Sequence, residues 1–205
     1  MIKRIEYCIG YTYIWVHSKL PFRVLYVLSD ILFLLVYRLV GYRRKVVRKN
    51  LKASFPEKGA DELKGIERGF YHFFCDYIVE TMKLMTITPE EMKKRMVFKG
   101  LEGLEKDLNS GRSCVAFLGH YCNWEWISSL PLHVKSDALS CQIYHPLENE
   151  ATDDLCFKMR SRMGAVSIAM NDTIRKFVEY KRDGKVTVTG FIADQVPHWA
   201  NIHWW

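Results

Sequence analysis

The amino-acid sequence predicts an α/β fold, in which a mixed, largely parallel sheet is flanked by helices and follows an N-terminal hydrophobic, membrane-anchoring helix. Short β-branched and apolar runs alternate with helical stretches of roughly ten residues, a pattern typical of βαβ units. Residues 20–42 are almost entirely apolar. The 205 residues, 49% hydrophobic and 26% charged, suit one globular domain with an appended anchor and exclude intrinsic disorder, a collagen-like repeat and a small disulfide scaffold.

The hydrophobic segment 20–42 contains three charged residues, Arg23, Asp30 and Arg38. An aspartate at the centre of a bilayer costs about 3 kcal/mol, which disfavours a simple transmembrane helix. Three placements stay open for this segment. It is a tilted span with Asp30 turned toward protein, a helix lying in the membrane interface, or an ordinary buried helix.

Basic residues are concentrated at the start of the chain, since residues 1–60 hold 12 Lys and Arg against three acids, in a chain of net charge +7. Hydrophobic residues lie between these charges, which favours an anionic membrane surface over nucleic acid as the partner. The basic flank at 43–49 predicts that the following domain faces the cytoplasm. The six cysteines form no CxxC pair, which agrees with a cytoplasmic domain whose thiols stay reduced. We predict a membrane anchor with a basic collar at 1–50 and a second domain at 51–205.

Helix-breaking residues and the spacing of apolar residues predict the helices and strands of the second domain. A turn at 54–59 precedes an amphipathic helix at 61–84, whose apolar face either packs on the core or forms the wall of a lipid-facing groove. Further helices are predicted at 89–96, 101–109, 123–130, 152–163 and 172–180. Strands are predicted at 113–118, 139–144, 166–169 and 185–193. In such sheets the binding and catalytic residues lie at the carboxyl ends of the strands.

The segment 119–125 places a histidine directly after a buried strand and a carboxylate at the start of the next helix. A histidine side chain at this position can take a proton from a hydroxyl, and Glu125, bound to the other nitrogen of His120, would fix the tautomer. The alternative is a structural histidine at a strand end. Asn123 is most simply the N-cap of the helix and is also a candidate for binding substrate. A second polar pair, Asp194 and Gln195, ends the last strand.

Other chemistry has weaker support. Cys122 suggests a Cys–His nucleophile, but residues two apart point away from each other on a helix and on a strand. His120, Cys122, Cys141 and His145 lack the paired spacing of a zinc site, so no metal is expected. Arg160 and Arg162 are either the solvated end of a helix or guanidinium groups that hold a phosphate or an oxyanion. No P-loop, GxGxxG or GxSxG motif is present.

Four blocks in order carry a family resemblance: RRKVVRKNLKASFPE at 43–57, FLGHYCNWEW at 117–126, YHPLENEATDDLCFKMRSRMG at 144–164, and ADQ at 193–195. The chain resembles the late acyltransferases of lipid A biosynthesis, the lauroyl and myristoyl transferases, within the wider lysophospholipid and glycerolipid acyltransferases. The resemblance implies an α/β catalytic domain that transfers a fatty acyl group from acyl carrier protein, or from coenzyme A, to a hydroxyl of a lipid A precursor or related lipid. It also implies an enzyme of the cell inner membrane whose catalytic domain faces the cytoplasm.

The resemblance assigns roles to the matching residues. His120 resembles the general base and Glu125 its carboxylate partner. Arg162 or Arg160, with Arg162 preferred, matches the block that engages a phosphate of the substrates. Asp194 and Gln195 resemble the acidic block that completes the site. No cofactor, metal or covalent intermediate is required.

The chain departs from the family at its end. It stops soon after Gln195, where family members continue, so we expect the catalytic domain to be incomplete at its C-terminus. Two alternatives to the transferase stay open. One is a thioesterase that uses His120 with water or Cys122 as the nucleophile, and the other is an inactive, truncated membrane-associated protein.

Overall fold

The computed structural model describes the backbone of residues 2–195 and the side chains of residues 7–195. The chain divides into two compact units. One consists of Thr12–Thr86, and the other combines the described parts of Met1–Tyr11 and Ile87–Trp205. The boundary predicted at residue 50, between a membrane anchor and a catalytic domain, is a functional division and stays a prediction.

The unit Thr12–Thr86 is helical. It contains the later part of α1 (Ile2–Lys19), α2 (Phe22–Phe33) with a π-helical continuation (Leu34–Val40), α3 (Arg44–Ser54) and α4 (Ala60–Lys83). Gly41 ends the π-helical stretch with φ of +63°, the left-handed conformation that glycine adopts most readily. The helix predicted at 61–84 is confirmed as α4.

The helix α2 and its continuation pack on α4 through aromatic side chains. Phe33, Tyr37, Tyr71 and Cys75 form the buried cluster between them. The face of α4 that carries Tyr71 and Cys75 therefore belongs to the core of this unit. Asp30, the acid of the hydrophobic segment, is 71% exposed on α2.

A buried carboxylate joins α3 to α4. Glu67 is 3% exposed and accepts hydrogen bonds from the guanidinium groups of Arg48, at 2.7 Å, and Arg44, at 3.2 Å. Burial raises the pKa of Glu67, but the hydrogen bonds from Arg48 and Arg44 outweigh burial and leave the pKa below its ordinary value. Part of the predicted basic collar thus holds the unit together.

Residues 2–195 contain no single helix that is both long and apolar enough to cross a membrane. Phe22–Val40 and Arg44–Ser54 reach that length and composition together, but their axes are bent by 94°. The membrane-anchoring role of residues 20–42 is therefore unconfirmed and stays a prediction.

The second unit is built on four strands: β1 (Cys114–Leu118), β2 (Leu139–Tyr144), β3 (Val166–Ala169) and β4 (Thr187–Ile192). They lie in the order β1-β4-β2-β3, and each neighbouring pair is parallel. The helices of the unit are α5 (Pro89–Arg95), α6 (Leu101–Asn109), α7 (Glu150–Ser161) and α8 (Thr173–Arg182), with 3₁₀ turns at Trp124–Leu132 and Met170–Asp172. The predicted α/β fold with a largely parallel sheet is confirmed.

Two local predictions need correction. The helix expected at 123–130 is a 3₁₀-helix, Trp124–Leu132, which contains Pro131. Proline cannot donate a helical hydrogen bond, and the hydroxyls of Ser128 and Ser129 bond to carbonyls three residues earlier, so the tighter turn is favoured. The helix α3 was not predicted, although its few apolar residues recur at helical spacing, because its composition is strongly polar and none of its residues is buried.

Candidate functional site

The site lies at the carboxyl ends of β1 and β4. These strands are parallel neighbours with Leu118 opposite Ile192, so the residues that follow them emerge at the same edge of the sheet. The backbone N–H of Ala193 donates to the Leu118 carbonyl at 3.0 Å and extends this pairing past the last strand residue. His120 and Asp194, separated by 74 positions in the sequence, are thereby brought into contact.

The Asp194 carboxylate holds His120 at two points. Its Oδ2 accepts the backbone N–H of His120 at 2.7 Å, and its Oδ1 lies 2.6 Å from the ring Nδ1. A carboxylate only accepts hydrogen bonds, so Nδ1 carries the proton and Nε2 presents a lone pair. The hydrogen bonds from the His120 backbone and ring lower the pKa of Asp194, which keeps it ionised at neutral pH.

Two neighbours fix this arrangement. The Trp124 ring packs against the imidazole of His120 in a T-shaped arrangement, with centroids 5.0 Å apart. Gly119 leaves room for the aspartate, because a Cβ at this position would lie 3.3 Å from Asp194 Oδ2. Both of these residues follow β1, so the orientation of His120 depends on its own loop as well as on Asp194, which follows β4.

Glu125 occupies a different position from the one predicted. Its carboxylate accepts two hydrogen bonds from Arg160, from Nε and from Nη2, each at 2.6 Å. The two side chains are 10% and 22% exposed, so this is a largely buried ion pair in bidentate geometry. The carboxylate on Nδ1 of His120 is Asp194 rather than Glu125, because the β1–β4 pairing delivers Asp194 to the ring while Arg160 engages Glu125.

The two candidate arginines lie in different surroundings. Arg160 lines the cavity beside His120, whereas Arg162, preferred from the sequence, donates to the carbonyl of Ile87 at 3.3 Å. Burial lowers the pKa of Arg162. Asn123 stands directly before the 3₁₀-helix, but its side chain makes no capping hydrogen bond, so the predicted N-cap role is not observed. Gln195 lines the cavity.

A cavity of about 560 Å³ opens beside this cluster. Its polar end is formed by His120, Glu125, Arg160 and Gln195, and its remaining walls are mostly apolar. The apolar walls come from one face of the sheet, from α6 and from the 3₁₀-helix; they include Leu101, Leu104, Ala116, Leu118, Ile127, Leu130, Val188 and Gly190. Such a cavity can hold a hydrocarbon chain with its polar end at the histidine.

The thiols of Cys122 and Cys141, both near the site, differ in their exposure to solvent. Cys122 is exposed on the turn after His120, with φ of +51°. Cys141 is buried, and burial raises its pKa to about 11, so it stays protonated at neutral pH. Of these two thiols, Cys122 is therefore the one accessible to a substrate from solvent.

Comparison with known proteins agrees with this chemistry. Residues 2–198 match the sequence model of the family described as bacterial lipid A biosynthesis acyltransferase. The protein "Lipid A biosynthesis acyltransferase 2" of Shigella flexneri is 26% identical over 149 residues, which are 73% of this chain and 47% of that relative. The match thus spans about half the length of the relative. Since the family match extends over most of the sequence, the chain belongs to the bacterial lipid A biosynthesis acyltransferase family.

Proposed function

We propose that the chain is a membrane-bound O-acyltransferase, which moves a fatty acyl group from a thioester to a hydroxyl of a lipid A precursor or related lipid. The observation that carries this proposal is the pairing of His120 with Asp194 at the polar end of a largely apolar cavity. A general base and a place for a hydrocarbon chain are the two parts that such a transfer needs. Family membership supports the same chemistry.

The proposed reaction is a direct transfer. Nε2 of His120 takes the proton of the acceptor hydroxyl as its oxygen attacks the thioester carbonyl. Asp194 stabilises the imidazolium that forms, through the hydrogen bond at Nδ1. When the tetrahedral intermediate collapses, the new C–O bond remains, the C–S bond breaks, and the thiolate takes the proton from the imidazolium.

The remaining site residues bind and orient the substrates. The Arg160 guanidinium, held in one plane by Glu125, supplies positive charge for the oxyanion or for a substrate phosphate. Asn123 and Gln195 stay candidates for substrate contacts. Arg162 is tied to the backbone at Ile87, so Arg160 replaces it as the first candidate for a phosphate contact.

The donor in this proposal is an acyl thioester of acyl carrier protein or of coenzyme A. The basic N-terminal 60 residues, with 12 Lys and Arg, support binding to anionic phospholipid and to the acidic surface of a carrier protein. The chain would then act at the cell inner membrane with the catalytic domain facing the cytoplasm. Residues 1–50 would form the membrane anchor.

The test uses membranes that contain the chain, a radiolabelled acyl-carrier-protein thioester and a lipid A precursor, followed by separation of the lipids. His120→Ala should abolish transfer. His17→Ala is the matched control, because His17 is only partly buried on α1 and its ring bonds to a carbonyl of its own helix. Equal transfer by wild type and His120→Ala would refute the role of His120, and no transfer by wild type would refute the proposed activity.

A thioesterase is the second candidate, because His120 is 32% exposed and the same pair can activate water in place of a hydroxyl. It would release the label as free fatty acid. Cys122→Ala separates the two forms of this candidate, since hydrolysis through Cys122 stops and hydrolysis through water continues. A membrane-associated protein without activity would tolerate His120→Ala and still bind liposomes.

A further inference from the structure

A second cavity, of about 220 Å³, lies in the helical unit Thr12–Thr86, between the later part of α3 and the first turns of α4. No described residue lines both this cavity and the one beside His120. The proposed acyl transfer gives it no role. Its lining combines charged and apolar groups, which points to a ligand of its own.

The charged part of the lining has a net charge of +2, since it contains three cations and one carboxylate: Arg48, Lys52, Lys64 and Glu67. The buried carboxylate of Glu67 accepts from Nε and Nη2 of Arg48, at 2.7 and 3.2 Å, which fixes the plane of the guanidinium and does not engage Nη1. Lys52 and Lys64 are exposed, and neither forms an ion pair within residues 7–195. Three positively charged groups are thus available to an anion.

The rest of the lining is hydrocarbon from Leu51, Ala60 and Leu63. Leu51 and Leu63 are half-buried, so they form a wall that stays partly open to a ligand. A free phosphate ion gains nothing from such a wall, whereas a phospholipid presents a phosphate next to a glycerol backbone and acyl chains. Cations beside an apolar wall therefore fit an anionic lipid better than a soluble anion.

The same unit exposes large apolar side chains on α2 and its π-helical continuation, among them Val27, Leu34 and Leu39. Exposed apolar residues together with a basic helix are typical of a surface that lies on an anionic membrane. A phospholipid is thus the anionic amphiphile within reach of this unit.

We propose that the cavity between α3 and α4 holds one anionic phospholipid, with its phosphate on Arg48, Lys52 and Lys64 and its glycerol backbone on the apolar wall. The inference goes beyond the proposed transfer, because it concerns attachment to lipid and not the reaction. General attraction between a basic surface and an anionic membrane is screened by salt, whereas a phosphate held in a cavity is screened less. The site therefore keeps the helical unit on anionic lipid at ionic strengths that remove the general attraction.

The experiment offers phosphatidylglycerol and phosphatidylcholine in equal amounts to the full chain in micelles of an uncharged detergent, and native mass spectrometry counts the bound lipids. Wild type should retain one phosphatidylglycerol in preference to phosphatidylcholine, whose choline cation is repelled by the positive lining. Lys52→Gln combined with Lys64→Gln should weaken the retention of phosphatidylglycerol by at least about tenfold, because each substitution removes a charge-assisted hydrogen bond.

Lys45→Gln combined with Lys49→Gln is the matched control. Both lysines are exposed on α3 outside the cavity lining, and this variant loses the same two positive charges. Its retention of phosphatidylglycerol should change by less than about threefold, since exposed charges outside the cavity are screened. Equal losses in the two double variants would overturn the inference, because a general attraction to the basic helix would then explain the binding.

Ala60→Leu tests the apolar wall without a change of charge. The larger side chain fills part of the cavity, so retention of phosphatidylglycerol should fall about tenfold. Ala53→Leu, at an exposed position of α3 outside the lining, should leave retention unchanged. Equal retention by these two variants would contradict a lipid backbone on the apolar wall.

Thermal melts of all variants establish that each is folded. Three further results would each overturn the proposal: no phosphatidylglycerol retained by wild type, equal retention of phosphatidylcholine, or displacement of phosphatidylglycerol by inorganic phosphate at equal concentration. The last result would show that the cavity recognises the ion alone.

Discussion

Asp194→Asn tests the core of the proposed mechanism. In wild type the carboxylate accepts from the backbone N–H of His120 at 2.7 Å and from ring Nδ1 at 2.6 Å. The asparagine oxygen can keep the backbone contact, but its NH₂ group then faces Nδ1 as a donor. The imidazole must accept there, which moves the ring proton to Nε2. The variant should therefore fold normally and present the wrong tautomer to the acceptor hydroxyl.

The expected loss follows from the role of the base. General-base catalysis by a positioned side chain contributes about 10²- to 10⁴-fold, so a loss of about 10³-fold in kcat is expected, or about 4 kcal/mol of transition-state stabilisation. KM should change little, because Asp194 contacts the base rather than the substrate. Single-turnover transfer of a labelled acyl group, together with a thermal melt of each variant, measures both quantities.

Glu125→Gln is the comparison that makes this test decisive. The amide of the variant cannot offer the carboxylate that binds Arg160 in bidentate geometry, so the guanidinium becomes less well placed for substrate. If Arg160 binds a substrate phosphate, this variant should act mainly on KM and should lower kcat by less than about tenfold. A fall of more than about 100-fold in kcat for Glu125→Gln, with Asp194→Asn close to wild type, would refute the assignment and restore Glu125 as the partner of His120.

Two further predictions concern packing around the charged groups. Glu67→Gln should lower the free energy of unfolding of the helical unit by about 1–3 kcal/mol at neutral pH. Because folding lowers the pKa of Glu67, the carboxylate stabilises the folded unit fully above its ordinary pKa of 4.5, and this stabilisation is lost as pH falls through the lower pKa of the folded state. The free energy of unfolding, measured from about pH 7 down to about pH 3, should therefore depend less on pH in the variant than in wild type. Identical pH profiles would contradict this prediction. Gly119→Ala should displace Asp194, lower kcat about tenfold and leave the melting temperature nearly unchanged, whereas wild-type kcat would contradict the contact.

The strands and most helices of the sheet-containing unit could be predicted because their signals are local. The run 139–144 and the observed β2 (Leu139–Tyr144) coincide, as do 166–169 and β3 (Val166–Ala169). Each run is short and bounded by turn residues, and the run 139–144 alternates apolar with polar residues, as a partly buried strand does. Where helices were missed or altered, the deciding forces were a surface location, as in α3, or a proline, as in the 3₁₀-helix.

The site was harder to predict because its contacts are distant in sequence. Placing His120 and Asp194 at the carboxyl ends of two strands was possible from the pattern alone. Their contact could not be predicted without the strand order, β1-β4-β2-β3, in which β4 lies beside β1. Periodicity within one strand carries no information on which strand pairs with it.

Charge pairing at the cavity explains why Asp194, rather than Glu125, contacts the His120 ring. A carboxylate that is only 10% exposed needs a cationic or hydrogen-bonding partner, and Arg160 meets this need through two hydrogen bonds. Turning Glu125 to His120 would separate two largely buried opposite charges to form one hydrogen bond. Asp194 is 43% exposed, so it binds the imidazole without leaving another buried charge unpaired. The nearest acid in the sequence is therefore not the partner of His120, because a carboxylate engaged in a buried ion pair is less available to the imidazole than a partly solvated one.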